Sequence, residues 1–192
     1  MPKLALSNPE HVNQAIYGER VQHSAIAFWV MENVLNAYEP ECIVELGTGM
    51  GGMSMYLGTW AASQAAHVLT IDHVDRVGKK LDHIIRKIGV QRVVGDIFSD
   101  EAVSAIAAFI EGKECLVYCD GGNKERELAV FSTLAPTVIG CHDYGTEVKS
   151  GTINTFLSRS GYKKILPSKG VYNTLQMFWE RSIEEDIIRS TN

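Results

Sequence analysis

The sequence predicts one α/β domain, with a mostly parallel seven-stranded sheet, an antiparallel C-terminal hairpin and helices on both faces. Three observations lead there. Five short apolar runs alternate with helix-like stretches between Cys42 and Gly161. Each of the five stops at a cluster of Asp, His or Gly, as strands of an open parallel sheet do where they meet a ligand crevice. The last two runs, 162–166 and 174–180, flank Pro167, Ser168, Lys169 and Gly170 with no helix between them. They should therefore pair antiparallel, whereas the earlier strands need right-handed helical crossovers.

Taken in order, Ile26, Trp29, Val30, Val34 and Leu35 recur at helical spacing, so 24–37 reads as an amphipathic helix ended by Pro40. Residues 42–46 form a buried strand halted by glycines. The apolar, Ala-rich stretch 53–66 follows as a helix. Residues 68–71 form the second strand, ending in Asp72, and 76–88 a helix closed by Gly89. The third strand, 92–94, ends at Gly95 and Asp96. Ser99 or Asp100 then caps a helix over 100–110. Residues 115–119 end at Asp120, Gly121 and Gly122, and 124–134 are helical. Residues 137–141 end at His142 and Asp143. A helix over 152–160 closes at Gly161. Residues 1–40 thus form a helical cap, 41–145 the ligand-binding core, and 146–192 the C-terminal helix and hairpin of a single domain.

The 192 residues suffice for one domain with a substantial core, and 45% hydrophobic against 21% charged residues argues against disorder. A net charge of −5 is the wrong sign for a nucleic-acid partner. Cys42, Cys115, Cys119 and Cys141 lie in strands and read as small buried hydrophobes, because the Cys115–Cys119 spacing fits neither a zinc knuckle nor a redox motif. No signal-like start and no apolar run near membrane-spanning length occurs, so a cytoplasmic location and no membrane partner are expected. Phe28, Trp29 and Met31 either cover the sheet or form a homodimer face.

The glycine-rich turn Gly47-Thr48-Gly49-Met50-Gly51-Gly52 follows a strand and opens a helix. Its spacing fits both G-x-G-x-G and the dinucleotide pattern G-x-G-x-x-G. Glu45 discriminates, since a carboxylate beside a pyrophosphate at the helix N-terminus would be repelled. S-adenosylmethionine has no phosphate and carries a cationic amine and sulfonium, which an acid favours directly or through water. Asp72, beside His73, can accept from both ribose hydroxyls or be a loop acid, and Asp75 is a less suitable substitute. Asp96 can accept from the adenine amino group or cap the next helix, and Ile97 or Phe98 can pack on the ring.

Asp120 and Asp143 end neighbouring strands and, with His142, offer two carboxylates and an imidazole to one crevice. Such a set can hold Mg²⁺, and neutral His142 also suits Mn²⁺, Fe²⁺ or Zn²⁺. A bound metal would lower the pKa of an acceptor hydroxyl. His142 reads equally as ligand, general base or plain loop residue. Lys124 reads as a base if desolvated, or as a solvated helix-start lysine. Asn123 could orient a substrate or serve the turn.

Tyr17 to Ser24, Phe28-Trp29-Val30 and Pro40 to Ser54 together resemble the cephalosporin hydroxylase family. The likeness continues at Leu69 to Asp72 and at Gly95-Asp96. Cys141-His142-Asp143-Tyr144-Gly145 looks like the Asp-Asp-Tyr-Gly metal segment of macrocin-type sugar O-methyltransferases. The resemblance implies a Rossmann-like class I methyltransferase fold, with S-adenosylmethionine at Glu45, Gly47, Gly49, Asp72 and Asp96. Thr48, Gly51, His73, Ile97 and Asp120 would lie around it. It also implies a divalent metal, usually Mg²⁺, at Asp120 and Asp143. His142 replaces a common acid, and Asn123 stands near a common histidine. No lid insertion is evident, so the acceptor pocket is open or completed by a partner subunit. The expected function is metal-assisted O-methylation of a small hydroxylated molecule. A dinucleotide-binding oxidoreductase and a non-catalytic S-adenosylmethionine-binding protein are the alternatives.

Overall fold

Burial on both faces sets the central strands, in which nearly every position is buried. The sheet's strands are β1 (Cys42–Leu46), β2 (His67–Asp72), β3 (Val90–Val94), β4 (Cys115–Cys119), β5 (Val138–Cys141), β6 (Tyr162–Ile165) and β7 (Met177–Arg181). The computed structural model describes residues 22–165 and 175–182, together with a short antiparallel pairing of Ala15–Ile16 with Glu19–Arg20. The strands run in the order β3-β2-β1-β4-β5-β7-β6. The first five are parallel, and β7 pairs antiparallel with both β5 and β6. The C-terminal hairpin is thus present, with its second strand inserted next to β5. Residues 166–174 lie outside the described part.

Both faces of the sheet are covered. Val44, Leu46, Ile71, Val117 and Ile139 face α4 (Asp100–Ile110), α5 (Lys124–Phe131) and α6 (Ser150–Arg159). Ile43, Val68, Leu116, Tyr118 and Val138 face α1 (Ala25–Tyr38), α2 (Gly52–Gln64) and α3 (Lys79–Lys87). Burying both faces of parallel strands removes most of their apolar surface from water, at about 25 cal/mol per Å². All four cysteines are buried free thiols within this core. Among the described residues no helix is long and apolar enough to cross a membrane. On α1, Val30, Met31, Val34 and Leu35 are buried, whereas Trp29 is 42% exposed.

Two predicted helices depart from the observed ones by three residues at one end. The helix expected over 76–88 begins at Lys79, because Val77 packs instead against the glycine turn, its Cγ1 3.1 Å from where a Gly51 side chain would start. The helix expected over 124–134 is α-helical only to Phe131. It then tightens into a 3₁₀ turn, Ser132–Leu134, that ends at left-handed Ala135. Pro136 disfavours helical geometry in the residue before it. Ser99, not Asp100, caps α4, its hydroxyl accepting from Ala102 N at 3.1 Å. Ser99→Ala is expected to cost about 1 kcal/mol in urea unfolding without changing cofactor affinity.

Candidate active site

The strand order reverses between β1 and β4, and the chain must part there at the strands' carboxyl ends. The ladder nevertheless continues past those ends. Gly47 N donates to Ile71 O (2.8 Å), Asp120 N to Leu46 O (2.8 Å), Gly95 N to Asp72 O (2.9 Å) and His142 N to Cys119 O (3.1 Å). Above this floor lies a cavity of about 590 Å³, lined by Gly47, Thr48, Gly49, Asp72, His73, Asp96, Ile97, Asp120, Lys124, His142 and Asp143. That volume suits a nucleoside-sized ligand. Glycine is required at Gly47: φ is +98°, and a Cβ would stand 2.4 Å from the Asp120 carbonyl oxygen. Gly51 (φ +85°) caps α2 and lies under Val77, outside the cavity wall.

Glu45 is corrected as a direct ligand contact. It follows Ile43 at period two, so its side chain enters the face covered by α2, fully buried, and does not line the cavity. Its Oε2 accepts from Ser54 Oγ and from Thr70 Oγ1, and Thr70 Oγ1 lies 2.7 Å from Thr48 Oγ1. Burial pushes the Glu45 carboxyl up to about 7; the Ser54 and Thr70 bonds oppose this, and the charge of Asp120 adds to it. Glu45 Oε1 has no hydrogen-bond partner among the described residues. Thr48 is likewise held inward, so only its backbone is placed to meet a ligand.

Asp72 is the acid that acts on the turn. Its Oδ2 accepts from Gly49 N (2.8 Å) and its Oδ1 from Val74 N (2.9 Å). Gln22 Oε1 accepts from the next amide, Met50 N (3.2 Å). His73 is exposed on the rim, its Nδ1 3.3 Å from Asp72 Oδ1. Asp96 is exposed and accepts from Phe98 N (2.9 Å), an Asx turn, so it does not cap α4. Ile97 is buried beside it.

On the other side of the cavity, His23 Nε2 lies 2.7 Å from Asp120 Oδ2, and the His23 and His142 rings meet edge-on at 4.9 Å. Burial lowers the His23 pKa, but the hydrogen bond and charge of Asp120, with Glu45 and Asp143 beyond, raise it overall. His142 Nδ1 lies 3.1 Å from Asp143 Oδ1 and 3.6 Å from Asp120 Oδ1. Asp143 adopts left-handed φ (+56°), and its Oδ2 pairs with Lys124 Nζ at 3.1 Å. Lys124 also reaches Glu147 Oε2 (2.8 Å) and Gly121 O (3.0 Å). Burial alone would lower its pKa, but pairing with Glu147 and Asp143 raises it. Lys124 is therefore a buried, paired cation that ties the β4 and β5 loops together, which matches neither the desolvated base nor the solvated lysine expected of it.

Asp143, expected as a metal ligand, lines the cavity but is paired with Lys124 and does not gather with the other donors. Among the described residues, the donor atoms that gather within 4.8 Å of one another belong to His23, Asp120 and His142. With one carboxylate and two imidazoles, this set does not fit Mg²⁺, which demands oxygen donors.

Sequence reasoning assigned no role to His23, Gln22 or Glu127. His23 directly precedes the Ser24 cap of α1, so a cap-before-helix motif placed it at a helix entrance, but nothing local placed that entrance over the strand ends. Buried Glu127 accepts from Gly121 N and Asn123 N, both at 3.1 Å, and holds the loop after β4. Its place on the buried stripe with Lys124, Leu128 and Phe131 was the available signal.

No family model and no curated protein matches the sequence. Solved structures match its fold. Apo CmcI aligns over 88% of this chain and 76% of its own, with a TM-score of 0.66 and 13% identity. The Mg-SAM form of CmcI aligns over 86% and 75%, with a TM-score of 0.59 and 13% identity. The O-methyltransferase TomG from Streptomyces achromogenes, in complex with SAM, aligns over 85% and 83%, with a TM-score of 0.53 and 15% identity. Strand order, the reversed closing hairpin and these alignments agree: the chain has the Rossmann-like fold of the class I S-adenosylmethionine-dependent methyltransferases.

Proposed function

We propose that the chain is an S-adenosylmethionine-dependent methyltransferase acting on a hydroxyl oxygen of a small molecule. One observation carries the choice of cofactor. The Gly49 amide, which a pyrophosphate would need, is already taken by the Asp72 carboxylate. The turn therefore presents negative charge where a dinucleotide brings more of it, a repulsion that a phosphate-free sulfonium nucleoside does not meet. This disfavours the oxidoreductase alternative.

S-adenosylmethionine supplies an electrophilic methyl group on a cationic sulfur. Gly47 and Gly49 let the nucleoside approach the backbone, Asp72 accepts from its ribose, and Asp96 with Ile97 holds the adenine side. The negative charges of Asp72 and Asp120 stand on opposite sides of the cavity and favour the cation between them. Asp120, flanked by His23 and His142, receives the acceptor hydroxyl. In-line displacement requires this alignment of acceptor, methyl and sulfur. A divalent ion held at Asp120 and His142 would polarise that hydroxyl and ease loss of its proton. Asp143 orients His142, and Lys124 keeps Asp143 in place. The polar cluster beyond the nucleoside favours catalysis over mere cofactor binding.

Calorimetric titration with S-adenosylhomocysteine and, separately, NAD⁺ tests the choice of cofactor. The nucleoside should bind and NAD⁺ should not. Asp72→Asn, which keeps shape but removes charge, is expected to weaken nucleoside binding by about tenfold, the difference between a charge-assisted and a neutral acceptor. Methyl-labelled cofactor offered with polyhydroxylated acceptors should label oxygen. Saturable NAD⁺ binding in its place would reverse the assignment.

A further inference from the structure

We infer that His23, Asp120 and His142 together form a two-imidazole, one-carboxylate site for a first-row transition-metal ion, not for Mg²⁺. The inference rests on the methyltransferase function proposed above for its setting, but its ligands stand on geometry. Three separate segments supply them: the residue before the α1 cap, the end of β4 and the end of β5. Their donor atoms lie within 4.8 Å of one another, and all three side chains line the cavity. An ion with ligand distances of about 2.0–2.2 Å requires the three to draw together around it. His23 and His142 can do so by side-chain rotation, exchanging the His23–Asp120 hydrogen bond for bonds to the ion.

Chemistry selects the class of metal. Imidazole nitrogen suits Mn²⁺, Fe²⁺, Co²⁺ and Zn²⁺, whereas Mg²⁺ is held by carboxylates, waters and substrate oxygens. The second carboxylate that Mg²⁺ would need, Asp143, is paired with Lys124 through Oδ2. Its Oδ1 lies 3.1 Å from His142 Nδ1, so an ion taken by His142 through Nε2 would leave Asp143 as the outer carboxylate that orients the ring. Three protein ligands facing a cavity leave coordination positions for water or an acceptor oxygen.

Cobalt tests this without any turnover. The full chain, free of affinity tag and stripped with chelator, is titrated with Co²⁺ and its visible d–d absorption recorded. The parent should develop saturable bands that survive millimolar Mg²⁺. His23→Gln, whose amide can still donate to Asp120, should lose them, while Asp143→Asn should retain them at an affinity lowered by about 10–100-fold. Bands unchanged in His23→Gln, bands lost in Asp143→Asn but kept in His23→Gln, or displacement of Co²⁺ by Mg²⁺ would each overturn the site. S-adenosylhomocysteine titrated into the same samples reports the fold and the cofactor cleft independently. Cobalt binding without nucleoside binding keeps the metal site and removes the methyltransferase function, and the converse removes only the metal site.

Discussion

Gly47→Ala is expected to destabilise the protein by about 3–5 kcal/mol and to abolish nucleoside binding, since two costs add. The backbone at Gly47 has φ +98°, which an L side chain rarely adopts. Its new Cβ would also stand 2.4 Å from Asp120 O and 2.7 Å from Gly121 N, both backbone atoms that cannot swing away. The carboxyl ends of β1 and β4 would have to separate, breaking the Asp120 N to Leu46 O bond and shifting Asp120 itself. Against a typical total stability of about 5–15 kcal/mol, that loss is a large share. Gly151→Ala makes the same chemical change on α6, where nothing lies within 4 Å, and should instead stabilise by about 0.5–1 kcal/mol. Urea unfolding of both variants checks the contrast. A Gly47→Ala midpoint equal to the parent's would mean that the crevice is not closed by backbone contact.

Raising the pH should weaken the fold through Glu45. The group is fully buried and its carboxyl is pushed up to about 7. In the unfolded chain it titrates near the ordinary value of about 4.3. Between these values the folded state binds more protons than the unfolded state, so stability falls as pH rises. The contribution is intact below the unfolded pKa and is lost by the time pH passes the folded one. A shift of that size corresponds to about 4 kcal/mol. Glu127, also pushed up to about 7 mainly by burial, and His23, raised above 6.5, have the same sign. Thermal unfolding from about pH 5 to about pH 8 should therefore show a falling melting temperature, and Glu45→Gln should flatten much of the slope. A parent profile that rises across this window would contradict the burial of a protonatable Glu45.

The strands were legible because buried parallel strands are continuous apolar runs that end abruptly in polar residues; β1 and β4 have the predicted bounds. The ligand crevice was legible for the same reason, since those polar ends must converge. Glu45 stands before a glycine turn, but its place in the strand decides where its side chain goes. Counting by twos from Ile43 sends it under α2. What the sequence did not disclose depends on contacts distant along the chain. The His23 to Asp120 bond spans 97 positions, and the Lys124 to Glu147 bond spans 23. The short start of α3 is similar, because only the assembled turn offers Val77 a surface to cover.

The bonds that carry the β-ladder beyond the strand ends make the bottom of the cleft part of the sheet's own fabric. Amides there can exchange with solvent only when the sheet itself opens. New substrate preferences would then have to come from side chains above it, such as exposed Gln22. A rigid floor with an adjustable ceiling would let one scaffold serve many acceptors.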